Sequence, residues 1–346
     1  MYKGFSVLEA VITLTITTML LSVAFSYSEA SRLIVQRIKN NPYPTLDKLV
    51  LDKSKEGDDV CFLDSHYTIA SSSFVGLSGV TSALQRSGYT FVTSDTTTQS
   101  DPDLYILKDG AVEAALSTGP GLRDIAIVRN TAYVANTSVN SQIQKIDISN
   151  IFIPYTSGAY KFASTGNAVY FHDDQVYIGA EKAYGPELAI LDRGLRPLSF
   201  YETDSQINDI YKDNTLYIAA SNKNQLHMIA TTTSYFSPSG WETQEGKVVR
   251  GGYFGRTVGG FNSKANHELF LLGSTSVDIG SGVYGLVSSG DLFFVAAKDL
   301  QVWKKPFTHL YNIPLPDIPV SLACDKNTLV VGLRSGVKSI YFLYAH

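Results

Sequence analysis

The chain has 346 residues, 44% hydrophobic and 17% charged, with 28 basic side chains against 32 acidic ones and a formal net charge of -4. That balance excludes a disordered chain, which would be less hydrophobic and more strongly charged, and it lacks the basic footprint of a nucleic-acid binder. The 21 Tyr and 17 Phe, set among many Ser, Thr, Asn and Gly, give it a β-rich, exported character.

In chain order, the first feature is a short leader ending at Gly4, followed by Phe5 and an apolar stretch to residue 25 that contains one carboxylate, Glu9. A helix over residues 5–25 would rise about 31 Å, roughly one hydrocarbon thickness. Seven of those residues are polar, but Ser and Thr hydroxyls can bond to the carbonyls of the preceding turn. The helical pattern continues until Asn40, Asn41, Pro42 and Pro44 stop it, which predicts a helix that is half membrane span and half stalk. A secretory signal would instead show a basic region, a shorter apolar core and a small-residue cleavage site.

The run Lys3-Gly4-Phe5-Ser6-Val7-Leu8-Glu9 resembles the amino terminus of type IV pilins and pseudopilins. The resemblance implies cleavage between Gly4 and Phe5 by a prepilin peptidase and methylation of the new amino-terminal Phe5. It also implies that Glu9 pairs with the amino group of a neighbouring pilin or pseudopilin subunit during assembly. An ionised Glu at helix-centre depth costs roughly 2.5 to 3.5 kcal/mol on insertion scales, and a cationic partner would offset that. Residues 5–40 contain neither Gly nor Pro, which is closer to minor pilins or pseudopilins than to a main fibre subunit. The implied location is the cytoplasmic membrane, single pass with the head exported, and then a pilus or pseudopilus at the cell surface. Charge alone points the other way, because Arg32, Arg37 and Lys39 after the span outnumber Lys3 before it.

Residues 1–4 are thus read as leader, 5–40 as helix and 41–58 as a linker of mixed charge, leaving residues 59–346 as the head. In the head, a pair of turn residues followed by a short β-rich run recurs at Ser87-Gly88, Arg129-Asn130, Asp173-Asp174, Asp213-Asn214, Ser289-Gly290 and Lys326-Asn327. The third residues after these pairs are Phe91, Tyr133, Tyr177, Tyr217, Phe293 and Val330, spaced 42, 44, 40, 76 and 37 apart. The interval of 76 requires one more unit near Gly255, so seven units of about 40 residues result. A second strand set, at residues 104–107, 143–148, 188–191, 226–229, 269–272, 300–303 and 340–343, repeats the period. Four strands per unit arranged radially predict a mainly β fold, a seven-bladed β-propeller, with a sandwich or an open solenoid as competitors. The last repeat ends on its third strand, so residues 60–70 are expected to supply the fourth and close the ring.

The two cysteines, Cys61 and Cys324, fall in that expected closing strand and in the first strand of the final repeat. A disulfide across the closure suits an oxidising compartment, whereas the offset between an outer and an inner strand argues against contact, and both readings stay open. The six histidines are scattered with no pair at ligand spacing, and neither a metal nor a cofactor motif is legible. Residues 250–260 are glycine-rich without the ending of a phosphate-binding loop, and Tyr253, Phe254 and Arg256 there form a candidate ligand surface.

Together these readings give a non-enzymatic pilin-like subunit that displays a propeller for adhesion or partner binding. The alternative is a membrane-tethered propeller enzyme acting on extracellular glycans.

Overall fold

Alternating short strands joined by two-residue turns have no way to bury both faces except by stacking sheet on sheet, and that is the architecture adopted. The computed structural model describes residues 61–344 apart from positions 62, 97–99, 163–164, 183–184, 213, 222–225, 231, 237–245, 249–256, 261–267, 272–275 and 306. They form seven four-stranded antiparallel sheets. Six have first strands of five to seven residues: Val80–Arg86, Leu122–Val128, Gly166–His172, Ile207–Lys212, Gly285–Ser289 and Pro319–Asp325, in the first, second, third, fourth, sixth and seventh sheets. The fifth sheet is shorter throughout, starting with Gly246–Val248.

Each first strand contacts the first strand of the next sheet, and that of the seventh sheet contacts that of the first, so these strands line the axis of a β-propeller. The core lies between sheets. Phe91 and Ile106 of the first sheet pack on Ile125, Ile127 and Val134 of the second. Tyr133 and Ile143 of the second sheet meet Val169, Phe171 and Val176 of the third. Between the sixth and seventh sheets, Phe294 and Val302 meet Leu329, Val331 and Phe342. Burying such side chains stabilises by about 1.5 to 3 kcal/mol each.

The tight turns carry the backbone that two-residue hairpins demand. Ser87 and Gly88 have φ of 51° and 80°, and Asp173 and Asp174 have 47° and 62°. Positive φ at both central positions matches the right-handed twist of the flanking strands. The expected second strands appear at Tyr89–Ser94, Thr131–Asn136, Gln175–Ala180, Leu216–Ala220, Leu292–Ala296 and Thr328–Leu333.

Closure by the two ends of the described chain occurs, with the closing strand shifted towards the first sheet from its expected bounds. Tyr67–Gly76 pairs with Gly336–Tyr344 to complete the seventh sheet, so of the expected residues 60–70 only 67–70 belong to the closing strand. The apolar run at residues 60–63 drew the expectation upstream; the true closing strand, with Ser71, Ser72 and Ser73 at its middle, lies on the rim and is mostly exposed. The last strand likewise begins at Gly336, ahead of the apolar residues that marked it in sequence.

The expected helix over residues 5–40 and the linker at 41–58 lie outside the described residues. Among the described residues there is no helix, and none is long and apolar enough to cross a membrane.

Candidate functional site

Five of the first strands share an irregularity near their start. The pairing register slips after Val80, Leu122, Gly166, Ile207 and Pro319, leaving Thr81, Arg123, Asn167, Asn208 and Val320 as the extra residues of β-bulges. Bulges re-aim side chains and recur beside functional sites. Here they place a polar belt around the channel, where a cavity of about 290 Å³ is lined by residues of these strands, among them Arg123, Asp124, Asn167, Asn208 and Asp209, and by Tyr284 just ahead of the sixth sheet's unbulged first strand.

The belt also joins neighbouring sheets. Thr81 Oγ1 donates to the Leu122 carbonyl at 2.7 Å, and Asn167 Nδ2 donates to the Ile207 carbonyl at 2.7 Å, the same bond one bulge to the next sheet. One residue on, Ser82 Oγ donates to Asp124 Oδ1 at 3.0 Å, while Asp124 Oδ2 accepts the Val169 N–H at 2.9 Å. Asp124 therefore ties the first, second and third sheets together. Ser321 Oγ accepts the Ala83 N–H at 2.9 Å in the equivalent position of the seventh sheet. Arg123 is turned to Asp95, 3.1 Å away. Asn208 Nδ2 donates to Ser221 Oγ at 2.8 Å, and Asp209 Oδ1 accepts the Ile210 N–H at 2.9 Å. Groups held this way are oriented before any ligand arrives.

A second repeated device fixes where the bulged strands begin. The residue just before a third strand reaches outward to a backbone N–H two residues beyond the fourth strand. Asp103 Oδ1 accepts from Thr118 N at 2.8 Å, Gln142 Oε1 from Phe162 N at 2.8 Å, Glu187 Oε2 from Thr203 N at 2.8 Å, and Glu268 Oε2 from Ile279 N at 3.0 Å. These N–H groups belong to the segments that lead into the next first strand. The latches at Asp103, Gln142 and Glu187 thus anchor the approach to Arg123 and Asp124, to Asn167, and to Asn208 and Asp209. Burial holds the carboxyls of Asp103 and Glu268 above the usual range.

Among the residues singled out in the sequence, Gly4, Phe5 and Glu9 lie outside the described residues, as do Tyr253, Phe254 and Arg256. Cys61 and Cys324 form a disulfide, with Cα atoms 5.3 Å apart. The strand-offset objection does not apply, because Cys61 precedes the closing strand and bridges in parallel to Lys326. His172 sits beside the turn residue Asp173, His66 beside Asp64, and none of the described histidines lines the cavity. The described residues hold no group of three or more His, Cys, Asp or Glu side chains arranged for a metal. The acidic run Asp101-Pro102-Asp103 contains the first latch.

The channel residues escaped the sequence reading because the repeat was anchored on the second strand. A signal was present one strand earlier, where an apolar residue or Gly precedes two residues that are mostly polar: Val80-Thr81-Ser82, Leu122-Arg123-Asp124, Gly166-Asn167-Ala168 and Ile207-Asn208-Asp209.

No family model matches the chain, and no curated protein does. Solved structures do match. A streptogramin B lyase superposes with a TM-score of 0.62 at 10% identity, covering 80% of this chain and 98% of the lyase. A catalytically inactive virginiamycin B lyase from Staphylococcus aureus with quinupristin gives 0.62 at 9%, covering 80% and 100%. The computationally designed Ika8 protein gives 0.54 at 15%, covering 76% and 83%. At these identities the likeness shows the fold alone. These findings overturn the assignment to the type IV pilin and pseudopilin family, since neither a family model nor a curated relative supports it and the matching structures are propeller-like. The non-enzymatic reading is corrected as well, because propellers that are enzymes stand among these structures.

Proposed function

We propose that the chain is an exported, seven-bladed propeller enzyme whose active site is the bulge-lined end of the central channel and whose substrate is a hydroxyl-rich glycan. The observation that carries this reading is the convergence of Asp124, Asn167, Asn208 and Asp209, from three successive first strands, on one cavity of about 290 Å³. Fixed amides and carboxylates suit sugar hydroxyls, and Tyr211 and Tyr284 in the same lining offer ring faces. Asp209 is assigned as the general acid or base. Asp124, with both carboxylate oxygens engaged, is assigned as the fixed negative charge that stabilises positive charge developing at the sugar. The lyases among the similar structures support an enzymatic use of this fold, and the absence of histidine from the described lining argues for carboxylate chemistry. Export is supported by the Cys61–Cys324 disulfide, and the apolar residues 5–25 are the proposed tether.

The test is incubation with a panel of neutral and acidic extracellular polysaccharides, followed by measurement of new reducing or unsaturated ends. Cleavage of at least one polymer is expected, with Asp209→Asn reducing the rate by 10² or more while the fold is retained. Cleavage that survives Asp209→Asn unchanged, or none on any polymer, would overturn the proposal.

A further inference from the structure

The strand that closes the ring is held less by its own side chains than by what precedes it. Tyr67–Gly76 is mostly exposed, with Ile69 at 43% and Phe74 at 49%, so its attachment to Gly336–Tyr344 rests largely on backbone hydrogen bonds. Cys61, Leu63 and Ser65, just before it, are each fixed by a specific contact. Leu63 is fully buried among the residues between the sixth and seventh sheets. The Cys61 carbonyl accepts Ser289 Oγ at 2.8 Å, Ser65 N–H donates to Asp291 Oδ1 at 3.1 Å, and Cys61 is bonded to Cys324. Cys324 is fully buried in the first strand of the seventh sheet, whereas Cys61 is only half-buried.

Separation of an antiparallel pair from its amino-terminal end would begin where Tyr67 meets Tyr344, and the disulfide lies just upstream of that point. If the closing strand left, Gly336–Tyr344 would become an open sheet edge. An open edge is a template for another strand, and the sequence it fits best is its own partner on a second copy of the chain. Between Gly76 and Val80 only residues 77–79 link the closing strand to the first sheet, and a short link of this kind favours exchange between copies over re-closure after a displacement.

We infer that the Cys61–Cys324 disulfide is a redox-sensitive lock on ring closure. Intact, it keeps Tyr67–Gly76 in its own sheet. Opened by a dithiol, it allows that strand to complete the seventh sheet of a second copy. In the opening step a dithiol thiolate attacks the half-buried Cys61 sulfur and Cys324 leaves as thiolate. The second reductant thiol then releases Cys61, so two electrons and two protons pass to the pair and the reductant ends as a disulfide.

The experiment uses two differently tagged copies of the full chain, mixed before and after treatment with dithiothreitol, alongside a Cys61→Ser/Cys324→Ser variant. Hydrogen exchange is followed over residues 67–76, and mixed species are captured through one tag and detected through the other. The oxidised protein should yield no mixed species, while the reduced protein and the double variant should yield at least tenfold more, with protection lost first over residues 67–76. Unchanged protection there with no mixed species would overturn the inference. So would simultaneous loss of protection across all seven sheets, because the disulfide would then be a staple for the whole ring and not a lock on one strand.

Discussion

Replacing Glu187 with alanine removes the latch that holds the approach to the fourth sheet. Glu187 is 1% exposed, and its Oε2 accepts Thr203 N at 2.8 Å, Asp204 N at 3.1 Å and Thr203 Oγ1 at 3.3 Å. Hydrogen bonds to a charged acceptor contribute roughly 1.5 to 3 kcal/mol each, and buried N–H groups left without a partner cost about 1 to 3 kcal/mol. The Thr203 N–H bond is buried and the Asp204 N–H bond part-buried, and Thr203 Oγ1 keeps its second bond to the Ser205 carbonyl. A loss of about 3 to 5 kcal/mol follows, and with about 2 °C per kcal/mol for a domain of this size the Tm should fall by about 6 to 10 °C. Glu187→Gln retains an oxygen acceptor and should cost about 1 kcal/mol, or about 2 °C. Differential scanning calorimetry of the three proteins at one scan rate is the assay. Glu187 does not act as a latch if Glu187→Ala melts within 2 °C of the parent, or if the glutamine variant is as damaged as the alanine one.

Other consequences are equally open to measurement. Asp124→Ala deprives Ser82 Oγ and the Val169 N–H of their shared acceptor and should lower stability by about 2 to 4 kcal/mol in the same assay; a change below 1 kcal/mol would show that the carboxylate does not bind the sheets together. A methyl group on Gly166 would collide with the Gln142 carbonyl oxygen, which is backbone and cannot move aside, so Gly166→Ala should reduce soluble yield severely while Gly88→Ala, where open space surrounds the added group, should be strained only through its φ of 80°. Burial without a counter-charge lowers the pKa of His227, whose Nε2 is buried without a partner and whose ring lies edge-on to Tyr201 and Tyr235. The stability it allows is present above the ordinary imidazole pKa of about 6.5 and is lost as pH falls towards the depressed folded value, so the parent should lose stability relative to His227→Phe between pH 7 and pH 5. A parent-to-variant difference that stays flat over that range in urea titrations would refute the assignment.

The repeat was legible because its turns and second strands obey local rules. Asp173-Asp174 and Ser87-Gly88 announce a hairpin in any context, and the apolar runs behind them are buried on both faces, which makes them easy to see. The rim was harder. Tyr67–Gly76 and Pro197–Tyr201 carry exposed side chains on both faces and are strands only because a neighbour pairs with them, so nothing in their own sequence reports it. The channel was hidden for a different reason. Asn167 and Asp209 look like ordinary polar positions until ring closure brings strands some 40 residues apart to one axis, and the latches of Asp103 and Glu187 depend on the same long-range arrangement. The amino-terminal motif misled because seven residues at the head of a segment of about 40, roughly a ninth of the chain, carry no information about the fold or function of the rest.

The most direct test of the channel assignment is a crystal structure of the Asp209→Asn variant soaked with an oligosaccharide cut from whichever polymer the active protein degrades. The account predicts density for a sugar within hydrogen-bond distance of Asn167, Asn208 and Asp124 inside the ring. Sugar bound only on the outer strands, with the channel filled by solvent, would contradict it.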